Sequence, residues 1–509
     1  MLSKWHLLGT SVVADQAKSN HNMKRLNYVI ALPQKEAKKI NFSLDPDDSD
    51  LLFNYTVLNN LIGTLVKTGL SGKVEPYLAK SWEVFDGGKE WLFTLKDNIR
   101  CSDGEPITAT SYVENLKRQL HSYSKRSSVL LFDKIEGWDS FKKGLPESDL
   151  GLTSVNGNQI HFKFTEKVEW GIELLRMPYF GYWCAKNFVD GHFSTPNGFV
   201  ASGPYTVKEF LSDKTTIVMQ SRTDLVTSSD GPKEISITSS FLSGNLTSGP
   251  YQTYYLGATV PSEISNLQDF RLVKSQPTML MAMILTPRSG GIFESVENRV
   301  AFHKQFLLIR NDYLLPSKSY TPTNYFYSIS PSKLPELSVG KWTVPKNVEI
   351  KLTLPSRITH QERLTLLKMV EDVFGKLGTK ASIIEEQGLS ISEWRKRANS
   401  NQYYDIKITT VDSGANFINP CTQMIFCSTL GASFPDPSGK ICSLVKKYEA
   451  TQRPVDQEYV ETFNSALESD AAVIPLFNMG YAWLYSKDID ENSISNMIEA
   501  PSFDNLKLN

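Results

Sequence analysis

Residues 348–386 hold the most restrictive pattern in the chain. "VEIKLTL" (Val348–Leu354) alternates apolar and polar side chains, as a strand with one buried face does, and Pro355 stops it. "THQERLTLLKMVEDVFGKLG" (Thr359–Gly378) follows, with Leu366, Val370, Val373 and Leu377 at i, i+4, i+7 and i+11 on one helix face. Thr359 and Glu362 form a capping box, each side chain answering an N–H that the first helical turn leaves free. Gly378 stands where a helix ends in a left-handed residue, and "TKASIIEE" (Thr379–Glu386) reads as a second strand. Strand, helix and strand in this order place the two strands parallel, joined by a right-handed crossover. This part of the chain is therefore α/β.

The first half reads differently. "SWEVFDGGKEWLFTL" (Ser81–Leu95) sets two alternating runs around Asp86-Gly87-Gly88-Lys89. "LTSVNGNQIHFKF" (Leu152–Phe164) turns at Asn156-Gly157, a strong signal for a tight hairpin. "GPYTVKEFLSDKTTIVMQS" (Gly203–Ser221) turns near Ser212-Asp213-Lys214. A hairpin-rich part and a β-α-β part, in 509 residues, exceed what one hydrophobic core holds, so at least two lobes are expected. The formal net charge of -1 gives no sign of a nucleic-acid partner. No apolar run reaches the ~20 residues of a membrane span.

At the N-terminus, Lys4 and "WHLLGTSVVADQA" resemble a secretory signal with a small-residue exit around Val12–Ala14. His6, Gly9, Thr10 and Ser11 make a poor apolar stretch, so residues 1–23 fit either a degenerate signal or a shortened N-terminus. The cysteines are Cys101, Cys184, Cys421, Cys427 and Cys442. The last three lack the paired knuckles of a zinc site. In an exported protein they allow a Cys421–Cys427 or Cys427–Cys442 disulfide; otherwise they read as buried thiols.

Catalytic motifs are missing. The chain has neither a G-x-S-x-G elbow nor H-E-x-x-H. "KTGLSGKV" approaches a phosphate loop, but Lys67 stands where its first glycine is needed. The seven histidines are scattered, and "DPDDSD" (Asp45–Asp50) lacks the glycine and final glutamate of a calcium loop. No enzyme activity, metal or cofactor is expected.

The stretch "KVEPYLAKSWEVFDGGKEWLFTLKDNIRCSDGEPITATSYVENLKRQL" (Lys73–Leu120) closely resembles the signature region of the bacterial extracellular solute-binding proteins, family 5, the peptide-, dipeptide- and nickel-binding components of ABC importers. The resemblance rests on Pro76, Leu78, Ala79, Ser81, Trp82, Ser102, Asp103, Gly104, Pro106, Thr108 and Ala109 at the family's spacing. Weaker similarity continues through "SLDPDD" (Ser43–Asp48), "ASGPYTVKEF" (Ala201–Phe210), "ENRVAFHKQFLLIRND" (Glu297–Asp312), "YYDIKITT" (Tyr403–Thr410) and "ALESDAAVIPLFNMGYAWLY" (Ala466–Tyr485). It covers roughly Lys24 to Asn509.

The resemblance implies a two-lobed, periplasmic-binding-protein-like α/β clamshell of mixed sheets. Lobe I is expected from residues 24–277 plus 474–509, and lobe II from 278–473. It implies a monomer, periplasmic or extracellular, that captures a small solute such as a short peptide between its lobes and hands it to a membrane permease. A ligand sensor on the same frame, without transport, is the alternative. In the peptide binders the ligand pairs with backbone edges. One edge corresponds here to Ser49, Asp50, Leu51 and Leu52. The other follows "GANFINP" (Gly414–Pro420), where Asn416 stands in place of the family's aspartate that holds the peptide ammonium. An amide accepts a hydrogen bond but supplies no charge. Asp412, four residues earlier, is a substitute candidate. Trp394 matches a tryptophan beside the ligand and also fits a helix core. Arg397 could meet a ligand carboxylate or water, and Phe417 lines the cleft or packs beneath the loop.

Overall fold

The computed structural model describes residues 24–32, 42–46, 52–122, 129–144, 149–168, 171–195, 198–211, 214–225, 230–241, 246, 249–257, 267–275, 279–309, 342–354, 360–386, 397, 403–412, 427, 434–451, 457–479, 481–495 and 501–509. The chain divides into two compact units, Met1–Ser275 with Tyr481–Asn509, and Gln276–Gly480.

Besides two short two-stranded sheets, the strands of unit 1 begin, in chain order, with β1 (Arg25–Leu32), β2 (Ala79–Phe85), β3 (Glu90–Leu95), β4 (Leu152–Val155) and β5 (Gln159–Lys163). They continue with β6 (Tyr205–Phe210), β7 (Thr216–Ser221), β8 (Glu234–Phe241), β9 (Gln252–Gly257) and β10 (Phe270–Lys274). Unit 2 supplies β11 (Met279–Leu285), β12 (Asn347–Thr353), β13 (Lys380–Glu385), β14 (Ile406–Asp412) and β15 (Val473–Met479). The chain then returns to unit 1 with β16 (Ala482–Ser486). The helices used below are α1 (Leu52–Leu61), α2 (Ala109–Ser122), α3 (Val296–Ile309), α4 (His360–Lys376), α5 (Lys440–Thr451) and α6 (Gln457–Asp470).

Unit 1 carries a seven-stranded sheet in the order β6-β7-β8-β1-β9-β16-β10. β1 is parallel to both β8 and β9, while β6 to β8 and β9 to β10 pair antiparallel. Leu26, Tyr28 and Ile30 of β1 are buried, with Ile235 and Ile237 of β8. A second sheet runs β2-β3-β5-β4. Its strands alternate as read: Trp91, Phe93 and Leu95 of β3 point inward, and Trp91 meets Phe164 edge-on at 4.8 Å. Asn156 (φ 50) and Gly157 (φ 75) are both left-handed in the three-residue connection between the paired Val155 and Gln159, and Asp86 to Gly88 turn between β2 and β3; Ser212 and Asp213 lie outside the described residues.

The signature stretch turns a corner and starts α2. Gly104 sits at φ 93 in the turn, and the Asp103 carboxylate takes the Glu105 N–H at 3.1 Å. At the helix start, Thr108 Oγ1 accepts the Ser111 N–H at 3.1 Å, and Ser111 Oγ accepts the Thr108 N–H at 2.9 Å. Serine thus completes a reciprocal cap without the carboxylate usual at this position. Cys101, at the foot of the turn, is disulfide-bonded to Cys184. The sequence reading did not pair these two cysteines.

Unit 2 is a five-stranded sheet in the order β13-β12-β14-β11-β15. β12 runs parallel to β13 and β14, and β11 runs antiparallel to β14 and β15. The β-α-β unit read at residues 348–386 is therefore present as β12-α4-β13. Leu366, Val370 and Val373 of α4 are buried against it with Met369 and Phe374, and Gly378 ends the helix at φ 80. The capping threonine Thr359 lies outside the described residues. α5 and α6 close another part of the core, packing Ile441, Val445, Tyr459 and Phe463 with Ala282 and Ile284 of β11. Cys427 is disulfide-bonded to Cys442 of α5, one of the two pairings left open above; Cys421 lies outside the described residues. The sequence placed the return to the first lobe at residue 474. The structure assigns β15 to unit 2, because it hydrogen-bonds along β11 from Val473 to Met479, and the return comes at Tyr481.

Candidate functional site

Parallel strands point all their carboxyl ends one way. Where neighbouring strands leave in opposite directions across the sheet, the loops diverge and open a crevice at those ends. Both units have such a point. In unit 1, β1 is flanked by β8 on one side and β9 on the other; in unit 2, β12 is flanked by β13 and β14.

The register shows where the chain crosses between units relative to these edges. In unit 1, Gly257 at the carboxyl end of β9 pairs with Ala482, and Ala482 pairs with Lys274. Ser275, the last residue before the outward crossing, gives its N–H to the Tyr481 carbonyl at 2.8 Å, and its hydroxyl accepts the Tyr481 N–H at 2.8 Å. The aromatic rings of Tyr255, Tyr481 and Trp483 meet beside this clasp, with centroids 5.7 to 6.1 Å apart. In unit 2, Asp412 at the carboxyl end of β14 pairs with Met279, the first residue of β11, and Met279 pairs with Met479, the last of β15. Unit 1 thus sends both of its crossings from the carboxyl edge of its parallel strands, and unit 2 from the carboxyl end of β14, which runs five residues past the Lys407 that pairs with Thr353 of β12.

Among the residues read from the sequence, Asp412 is placed on that edge by backbone register. Leu52 opens α1, whose Asn54 takes the Ser43 N–H at 2.9 Å and so anchors the Leu-Asp-Pro segment to the helix. Ser49, Asp50, Leu51, Trp394, Asn416 and Phe417 lie outside the described residues.

Arg397 is placed, and its charge is engaged within unit 2. Its Nη1 donates to Glu386, its guanidinium lies 4.8 Å from the centre of the Tyr403 ring, and it also donates to the Tyr403 hydroxyl at 3.2 Å. Glu386 accepts from the hydroxyls of Tyr403 and Tyr404 as well. Burial alone would raise the Glu386 pKa, but the hydrogen bonds from Tyr404 and Arg397 outweigh it and hold the carboxyl below its usual range. Lys407, on β14 opposite Thr353, is almost fully buried, and burial pushes its pKa down to about 8. Sequence reasoning missed Glu386, Tyr403 and Tyr404 as a group, although all three stand at the ends of readable strands.

Metal chemistry finds little support among the described residues. Cys101, Asp103 and Glu105 converge within 4.8 Å, but the Cys101 sulfur is in a disulfide and Asp103 pairs with Lys186 at 2.6 Å.

Residues 73–238 match the family model of the bacterial extracellular solute-binding proteins, family 5 (middle region). The dipeptide-binding protein DppE of Bacillus subtilis is 25% identical over 44% of this chain and 42% of its own length. The periplasmic oligopeptide-binding protein OppA of Salmonella typhimurium is 23% identical over 86% of this chain and 84% of its own. The resemblance seen in the sequence is thus carried by residues 73–238 and by these relatives. The structure of the Escherichia coli murein tripeptide binding protein MppA superposes on 96% of this chain and 99% of its own, with a TM-score of 0.74 at 15% identity. That likeness establishes the two-lobed α/β fold expected from the sequence. Family 5 is a family of binding proteins, and among the described residues no helix is long and apolar enough to cross a membrane.

Proposed function

We propose that this protein is the solute-binding component of an ABC importer, exported from the cytoplasm, which captures a peptide-like solute and presents it to a membrane permease. The observation that carries the reading is that each unit sends its chain crossings from the carboxyl end of a parallel strand, β9 in unit 1 and β14 in unit 2. A solute bound at either edge lies beside the chain crossings of that unit, so its binding bears on them. The similarity to dipeptide- and oligopeptide-binding proteins supports a peptide as the solute. Two disulfides support a life in an oxidising compartment.

Native mass spectrometry of gently purified protein, together with thermal unfolding against di- to hexapeptides, tests this. A ligand present at ~1,000 times its Kd stabilises the native state by about 4 kcal/mol, so a cognate peptide raises the melting temperature by roughly 10 °C. If every peptide leaves the melting temperature unchanged while a non-peptide solute is retained, the peptide assignment fails. A second expectation concerns the missing amine anchor. Asn416→Asp restores a charge-assisted partner for an ammonium and tightens binding of free-amine peptides roughly tenfold, read by calorimetric titration. N-acetylated peptides show no such gain. An equal change for both sets would place Asn416 away from the peptide amine.

A further inference from the structure

β14, the strand that ends at Asp412, is held unevenly. Against β11 it is registered along its whole length, from Ile406↔Leu285 to Asp412↔Met279. Against β12 the register comprises Leu352↔Ile406 and Thr353↔Lys407. The start of the strand is instead secured by side chains. Asp405 accepts from Arg288 Nη2 at 2.6 Å and Nε at 3.0 Å, and its other oxygen takes the Lys351 N–H at 3.0 Å. On the β13 side one carboxylate does the equivalent work. Glu386, whose own N–H is bonded to the Leu352 carbonyl at 3.2 Å, accepts from Arg397, Tyr403 and Tyr404. Lys351 on β12 places its ammonium 5.1 Å from the centre of the Tyr403 ring. The carboxylate therefore joins the end of β13 to the start of β14 at the point where the strand order reverses.

We infer that Glu386 is a positioning residue for solute capture: its carboxylate fixes the start of β14 and thereby the strand whose far end lies at the carboxyl edge. A carboxylate satisfied by three donors holds the end of β13 and the start of β14 in one arrangement, and losing its charge loosens them together. The amide of Glu386→Gln keeps the volume and loses the charge. Glu386→Asp keeps the charge on a shorter arm. This inference rests on the proposed function for its ligand readout, and on hydrogen exchange for a readout that needs no ligand.

The experiment compares the full chain with Glu386→Gln, Glu386→Asp and the charge-swapped pair Glu386→Arg with Arg397→Glu. Amide exchange of residues 406–412 by mass spectrometry is expected to speed up about tenfold in Glu386→Gln, with the melting temperature within a few degrees of the parent. Affinity for a peptide that stabilises the parent is expected to fall by roughly tenfold. The aspartate form is expected to recover at least half of each effect on a logarithmic scale, and the charge-swapped pair less, because it leaves the Tyr403 and Tyr404 hydroxyls without a carboxylate at position 386. Unchanged exchange in Glu386→Gln would overturn the inference. So would faster exchange with unaltered affinity. If no peptide binds the parent, the proposed function falls, and the exchange arm alone decides whether Glu386 fixes β14.

Discussion

Replacing Cys101 and Cys184 together by serine is expected to lower the stability of unit 1 by about 4–5 kcal/mol. The disulfide closes a separation of 83 residues, and on the chain-entropy relation a loop of that length restricts the unfolded chain by about this amount. The bond also joins two distant parts of unit 1. Cys101 precedes the Asp103-Gly104 turn and α2, while Cys184 lies beside Trp183, whose N–H is held by Asn115 of α2 at 3.0 Å. Differential scanning calorimetry of the oxidised double variant should show the melting temperature of unit 1 reduced by roughly 10 °C. The same scan of wild-type protein under reducing conditions should move in the same direction. A shift below ~2 °C in both would show that the loop retains its native closure in the unfolded chain. The Cys427–Cys442 bridge spans 15 residues and is expected to contribute less, about 3 kcal/mol, to unit 2.

Arg299→Met is expected to weaken unit 2 by about 3–5 kcal/mol, leaving the unit 1 transition in place. Arg299, near the start of α3, is 4% exposed and serves three backbone carbonyls: Asp470 at 2.7 Å, Phe293 at 2.8 Å and Glu294 at 2.9 Å. Burial pulls its pKa down, with the Asp470 and Glu297 charges acting in the opposite direction. Methionine fills much of the space but donates no hydrogen bond, so the carbonyls it leaves behind are desolvated without their donor. The contact also ties the start of α3 to the end of α6, where Asp470 accepts from the Ser438 hydroxyl at 2.9 Å. Arg299→Lys keeps one charge and fewer of the donors and should fall between the two. Two resolved calorimetric transitions, with only the unit 2 transition moving, would fit this account. An equal fall of both would show that Arg299 matters to the whole chain rather than to its own unit.

These contacts differ in how far they were legible beforehand. Asn156-Gly157, the alternating Trp91-Phe93-Leu95 and the β12-α4-β13 unit were read directly, because each is fixed by the conformational preferences and apolar period of neighbouring residues. The cap at the start of α2 is less legible. Ser111 answers the Thr108 N–H with a hydroxyl, which only the built helix start reveals. Arg397 was read as facing a ligand or water, whereas its neighbour Glu386, eleven residues earlier, holds it inside unit 2.

By itself the sequence determined the family's signature region, the hairpins and the parallel crossover. All of these rest on residues close together in the chain, where spacing is itself geometry. The tertiary structure decided what depends on contacts between distant residues: Cys101 with Cys184, β1 beside β8, the return to unit 1 at Tyr481, and Glu386 at the meeting of β13 and β14. The physical reason is that closing a long loop is opposed by chain entropy that grows only slowly with length, so many pairings are similarly accessible to the unfolded chain. Which of them forms is settled by the packing of the whole unit around it.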